Sequence, residues 1–195
     1  ILSLTIGAIK ISRHETLIQK VNAVESLANA TVLCFDKTGT LTKNELRVTD
    51  IIILNGDQRA NVQRQLGAYL HNLGHLNRTA GAVRDYVDDE IGQMDYATKV
   101  REIPFTSGRK WGAVVFQDDI YVLGAPERIL PSRKGDDSLV ARTQELSQQG
   151  QRVLAFARAN SVPEGTNISA VCEPIALVTL SDTIRPHIQE TLQAF

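Results

Sequence analysis

Apolar side chains follow more than one rhythm along the 195 residues. From Ser12 to Asn29 they recur at steps of three and four (Leu17, Ile18, Val21, Val24, Leu27, Ala28), which predicts a helix with one apolar face. Thr31 to Phe35 is instead a short continuous apolar run. That is the pattern of a buried parallel strand, and it stops at the polar, Gly-containing Asp36-Lys37-Thr38-Gly39-Thr40. Val48 to Leu54 predicts a second strand, closed by the Asn55-Gly56-Asp57 turn signal. Helices are expected over 58–76 and 78–90. Three short strands then follow, Val100–Phe105, Lys110–Phe116 and Ile120–Leu123, with connections tight enough for an antiparallel meander. A helical turn over 126–130 and a helix over 137–149, stopped by Gly150, precede two further strands, Arg152–Arg158 and Ile175–Leu180. A last helix begins at His187.

This order predicts a mixed α/β and α+β chain. The strands near its two ends read as parts of one α/β sheet, interrupted by a unit with its own antiparallel core.

Composition narrows the class. Hydrophobic residues make up 43% and charged residues 22%, as in an ordinary globular domain. Net charge is -1 and no run of like charges occurs, so a nucleic-acid partner is not expected. The two cysteines, Cys34 and Cys172, each sit in an apolar run; both are expected as core residues in a reducing compartment. No uninterrupted apolar stretch reaches the ~18 residues of a membrane span. The nearest approach, Ile1 to Ile11, carries Lys10 and lacks both a basic leader and a small-residue cleavage site. With no initiating Met, the chain reads as part of something longer.

Candidate chemistry concentrates at Asp36. The end of a buried strand is where open α/β sheets place their ligands. The turn after Asp36 offers backbone N–H groups from Lys37 to Thr40 and hydroxyls from Thr38, Thr40 and Thr42, with Gly39 free to bend toward an anion. A carboxylate facing a phosphate needs a cation between them, so Mg²⁺ is expected there. The reaction this suggests is in-line attack by the carboxylate on phosphorus. An isolated Asp-x-x-Gly would mark nothing more than a turn.

The full heptapeptide Asp36-Lys37-Thr38-Gly39-Thr40-Leu41-Thr42 is identical to the phosphorylation motif of the P-type ATPases, a branch of the haloacid dehalogenase-like superfamily. Further resemblances follow in that family's order. Phe105-Thr106-Ser107-Gly108-Arg109-Lys110 resembles its adenine-stacking segment, and Gly124-Ala125-Pro126-Glu127 its Lys-Gly-Ala-Pro-Glu element. Asp182-Thr183-Ile184-Arg185-Pro186 resembles its Asp-Pro-Pro-Arg hinge. The resemblance implies Asp36 as the phosphorylated nucleophile, with Lys37, Thr38 and Thr40 around it, and Asp36 with the Thr38 carbonyl as Mg²⁺ ligands. It implies a nucleotide site for ATP made by Phe105, Lys110, Gly124 and Arg152, with Asp182 and Arg185 positioning the phosphate end near Asp36. Phosphatases of the superfamily carry a second Asp where Thr38 stands. Threonine is no base near neutral pH, so the aspartyl phosphate should persist.

The resemblance also implies an organisation. Residues 1–24 would be a stalk after a membrane span, 25–46 and 173–195 a partial phosphorylation domain of Rossmann-like type, and 47–172 an inserted nucleotide-binding domain. The expected whole is an ATP-driven cation pump at the cytoplasmic face of a membrane, with actuator and transmembrane domains outside this chain. The transported cation tilts toward Ca²⁺, Mg²⁺ or another hard ion because no His-Pro dipeptide lies between the halves. The chain alone is expected to be inactive. Leu123 stands where that family often has lysine. A soluble phosphotransferase or phosphatase of the superfamily, and a non-catalytic nucleotide-sensing module, are the alternatives.

Overall fold

The computed structural model describes residues 2–12, 26, 29–92, 94–130 and 138–194. The helix expected over 12–29 lies for the most part outside them. Among the described residues six strands form one sheet: β1 (Thr42–Ile53), β2 (Arg101–Ile103), β3 (Trp111–Val115), β4 (Ile120–Gly124), β5 (Arg152–Ala159) and β6 (Cys172–Ile184). Their spatial order is β1-β6-β5-β4-β3-β2, and every neighbouring pair is antiparallel. The helices described in full are α1 (Leu2–Ser12), α2 (Arg59–His71), α3 (Arg78–Ile91), α4 (Pro126–Ile129), α5 (Ser138–Gln148) and α6 (Ile188–Gln193).

Period-two alternation along the strands feeds two cores. Leu123 and Tyr121 of β4, Phe156 of β5 and Ala176, Val178 and Leu180 of β6 share one face with Val62, Leu66 and Leu70 of α2 and Val83 and Val87 of α3. The opposite face joins Trp111, Ala113, Val122, Val153, Ala155 and Leu177 to Ile129 of α4, with Leu139 and Leu146 of α5 packed on the edge. Phe156 is fully buried, stacked on Tyr121 at 5.6 Å and edge-on to Tyr69 at 6.2 Å. Its burial alone contributes about 1.5–3 kcal/mol.

Local signals set several boundaries. Asn77 caps α3 by accepting from the Ala80 N–H at 2.9 Å, and Gly92 ends that helix with φ 74°. The β2–β3–β4 meander forms as its turn residues predict, with Phe116 donating to Asp119 across the β3–β4 connection.

Two expectations change. Ile175–Leu180, expected in an α/β sheet with the chain's first strand, is the middle of β6 and pairs antiparallel with both β1 and β5. A continuous apolar run reports that both faces of a strand are covered; it does not report strand direction. Thr31–Phe35 forms no strand and is exposed throughout, with Val32 at 77% and Phe35 at 42% exposure. A central strand needs ladders on both edges and a layer on each face. No described strand lies beside this segment. Cys34, expected in the core, is exposed with it, whereas Cys172 is buried. Burial pushes the Cys172 thiol up to about 11.

Candidate functional site

A cleft of about 1230 Å³ opens between the sheet, the start of α3, α4 and one face of α5. Phe105, Lys110, Gly124 and Arg152 all line it, although they come from three separate stretches of sequence. Phe105 stands 47% exposed, and among the described residues no other ring stacks on it. Half-exposed aromatic rings of this kind offer a flat face to a ligand base.

Lys110 is placed by an unusual backbone. Its φ is +62°, a left-handed conformation that costs a non-glycine residue about 1–3 kcal/mol. Two hydrogen bonds hold it there: its N–H donates to the Thr106 carbonyl at 2.7 Å, and its carbonyl accepts from the Ala125 N–H at 2.8 Å. Gly124, opposite Trp111 in the ladder, permits the close approach. A Cβ at Gly124 would lie 2.6 Å from the Trp111 Cα and nearer still to the Lys110 carbonyl. The Lys110 ammonium donates to Glu127 Oε1 at 3.0 Å. Burial raises the Glu127 carboxyl, but its own backbone hydrogen bond and Lys110 outweigh that and leave it below its usual range.

Arg152 opens β5 and donates through Nη1 to Thr79 Oγ1 at 2.8 Å, linking the sheet to the first turn of α3 across the cleft. The inner wall is apolar, with Leu123, Leu130, Val153 and Leu154, while α5 contributes Thr143 and Ser147. Tyr69 also lines it, a neutral phenol whose pKa is raised by burial and then by the Glu102 charge.

The other predicted residues form a second group. Residues 37–41 make one π-helical turn, with Gly39 at φ +83°. This turn is less open than the sequence predicts. Gly39 N–H donates to Thr42 Oγ1 at 3.2 Å, and that hydroxyl donates to the Lys37 carbonyl at 3.3 Å. Thr42 is buried, so its hydroxyl closes the turn instead of facing an anion. The end of β6 clasps the same turn. Arg185 donates through Nε to the Thr40 carbonyl and through Nη2 to the Gly39 carbonyl, both at 2.9 Å, and its N–H donates to the Leu41 carbonyl at 3.0 Å. Asp182 lies 3.7 Å from the Lys37 ammonium. Asp182 and Arg185 thus bracket the turn after Asp36 and do not line the cleft.

Among the described residues no group of three or more His, Cys, Asp and Glu is placed to hold a metal ion. Mg²⁺ bound together with a phosphate needs fewer protein ligands, because phosphate oxygens and water complete its shell. The Asp36 carboxylate and the Thr38 carbonyl fit that smaller role by donor type. The Gly39 and Thr40 carbonyls are occupied by Arg185.

Reading the sequence missed Glu127, Thr79 and Tyr69. Glu127 lies in the Gly124–Glu127 tetrapeptide, in α4, and its link to Lys110 depends on the pairing of Trp111 with Gly124. Nothing local marks Thr79 or Tyr69, which reach the cleft only through tertiary packing.

No protein-family model matches the chain. Relatives do. The calcium-transporting ATPase CtpE of Mycobacterium bovis is 30% identical over 196 residues, covering 100% of this chain and 24% of that protein. The probable cation-transporting ATPase exp7 of Streptococcus pneumoniae is 32% identical over 202 residues, covering 98% of this chain and 24% of that protein. The chain therefore spans about a quarter of the length of these relatives. In fold it is similar to a zinc-transporting PIB-type ATPase in the E2.Pi state, with TM-score 0.66, 23% identity, and 98% of this chain and 28% of that chain covered. It is also similar to the catalytic domain of the CPx-ATPase CopB-B, with TM-score 0.58, 16% identity, and 91% and 54% covered. Over its whole length this chain is homologous to one segment of proteins named as cation-transporting P-type ATPases, and it shares the fold of P-type ATPase catalytic domains.

Proposed function

We propose that this chain is the nucleotide-binding part of an ATP-driven cation pump, joined to the segment that carries its phosphorylated aspartate. The observation that carries the reading is the convergence of Phe105, Lys110, Gly124 and Arg152 on one cleft, with Asp182 and Arg185 gathered separately at the turn after Asp36. In this reading Phe105 stacks on adenine, a contact worth about 1–3 kcal/mol. Lys110 and Arg152 meet the phosphates, and Gly124 keeps the backbone close beside them. Residues 1–24 serve as a stalk, 25–46 and 173–195 belong to the phosphorylation domain, and 47–172 form the nucleotide-binding insertion. The β1–β6 ladder crosses the first of these joins, at 46–47, and ties the turn after Asp36 to the cleft-bearing sheet.

In the phosphoryl step a carboxylate oxygen of Asp36 attacks the γ-phosphorus. The bond from that phosphorus to the β–γ bridging oxygen breaks, and ADP leaves with the electron pair. Mg²⁺ would be held by the Asp36 carboxylate and the Thr38 carbonyl and would supply neutralisation of the phosphate's negative charge. Arg185 fixes the turn through two carbonyls, and Asp182 holds Lys37 beside it. Thr38 offers no base for water, so the acyl phosphate persists long enough to drive a conformational change in the whole pump. That pump lies in a membrane with this part on the cytoplasmic side. Among the described residues no helix is long and apolar enough to cross a membrane.

The test is labelling of the full-length protein with γ-labelled ATP. A hydroxylamine-sensitive acyl phosphate that disappears in Asp36→Asn is expected. Undiminished label in Asp36→Asn, or label on serine or histidine, removes the assignment.

A further inference from the structure

The cleft's charges are unusual for a site expected to take a polyphosphate. Among its described lining residues the fixed cations are Lys110 and Arg152, and the anions are Glu102 and Glu127. Glu102 already accepts from the Gly74 N–H at 2.9 Å and pairs with the Lys99 ammonium. Glu127 is different, because its partner is the cleft lysine itself: Lys110 Nζ lies 3.0 Å from Glu127 Oε1. The apolar Leu123, buried in the β4 ladder, brings no further cation to this wall. Both partners are half-exposed, so the pair is weak enough to exchange.

We propose that Glu127 is a positioning residue that holds the Lys110 ammonium in reserve and sets how strongly the cleft responds to phosphate charge. The inference rests on the nucleotide reading of the cleft and deepens it. A phosphate reaching Lys110 must displace a carboxylate already bound there, and it then lies beside that carboxylate's charge. Each added phosphate therefore gains little, and adenosine, AMP, ADP and ATP bind with similar affinity through the base and sugar. The backbone of Lys110 is held at φ +62° by Thr106 and Ala125. The ammonium can therefore change partner by side-chain rotation while its anchor stays in place.

Calorimetric or NMR titration of the 195-residue chain with adenosine, AMP, ADP and ATP tests this, without Mg²⁺ so that charge is not masked. In the unaltered chain the four ligands should agree within about threefold. In Glu127→Gln, ATP should tighten about threefold to fivefold and ADP less, with adenosine unchanged. Glu127→Asp, which keeps the charge, should stay near the unaltered chain. The gain should shrink in a Lys110→Gln background, because no ammonium remains to be released. A gain equal for adenosine and ATP would report altered packing and overturns the role of Glu127. So does no gain at all. If adenosine fails to bind any of these chains, the nucleotide reading falls, and this inference with it.

Discussion

The six-stranded sheet and the segment just before it begin from similar sequence and end differently. Ala176-Leu177-Val178-Thr179-Leu180 and Val32-Leu33-Cys34-Phe35 are both short apolar runs. The first is buried on both faces, between α2 and α3 on one side and the α4–α5 layer on the other, and it is hydrogen-bonded on both edges. The second is exposed and carries no ladder among the described residues. An apolar run marks a place that can be buried; what buries it must come from elsewhere in the fold. The two halves of the candidate site divide in the same way. The cleft is walled by a packed sheet, while the turn after Asp36 depends on its own hydrogen bonds and on the end of β6.

Phe156→Ala empties a fully buried ring site beneath Tyr69 and Tyr121 and should cost about 3–5 kcal/mol in denaturant unfolding. Phe35→Ser, in the exposed run, should stay within about 0.5 kcal/mol of the unaltered chain. Comparable losses at both positions would mean that the 31–35 segment is packed after all.

Within the cleft, Gly124→Ala should destabilise by about 1–3 kcal/mol, since its Cβ would collide with backbone that cannot yield. Phe105→Ala should leave stability nearly unchanged yet weaken adenosine binding by about 1–3 kcal/mol. A stability loss without a binding loss at Phe105 would make the ring a structural residue.

Thiol chemistry sharpens the contrast at smaller scale. One thiol per native chain, Cys34, should react readily with a disulfide reagent, and a second should appear on denaturation. Cys172 also gives a pH dependence of known sign. Its folded pKa is raised to about 11 from an ordinary 9.0, so the unfolded chain loses that proton first. Its contribution is complete below pH 9.0 and declines as pH rises toward about 11. Cys172→Ala should flatten this alkaline decline in a denaturation series.

Much of the architecture was legible because it is local. Asn77 and Gly92 bound α3, and the turn chemistry of Gln117-Asp118-Asp119 joins β3 to β4. Motif order named Phe105, Lys110, Gly124 and Arg152, which line one cleft, and left out Tyr69, Thr79 and Glu127, which line it too. The nest after Asp36 was misjudged because residue types do not say which donors a turn consumes internally; Thr42 and the Gly39 N–H satisfy each other. The Lys110–Glu127 pair was hidden for a related reason. Seventeen positions separate the two side chains, and only the Trp111–Gly124 register brings them together.

The most direct test of the account is an NMR titration of the 195-residue chain with ATP, read residue by residue. Shifts should cluster at Phe105, Lys110, Gly124 and Arg152, with Asp182 and Arg185 little changed, because those two lie at the turn and not in the cleft. Shifts confined to residues 37–41 and 182–185, with Phe105 and Arg152 silent, would contradict the cleft as the place where nucleotide binds.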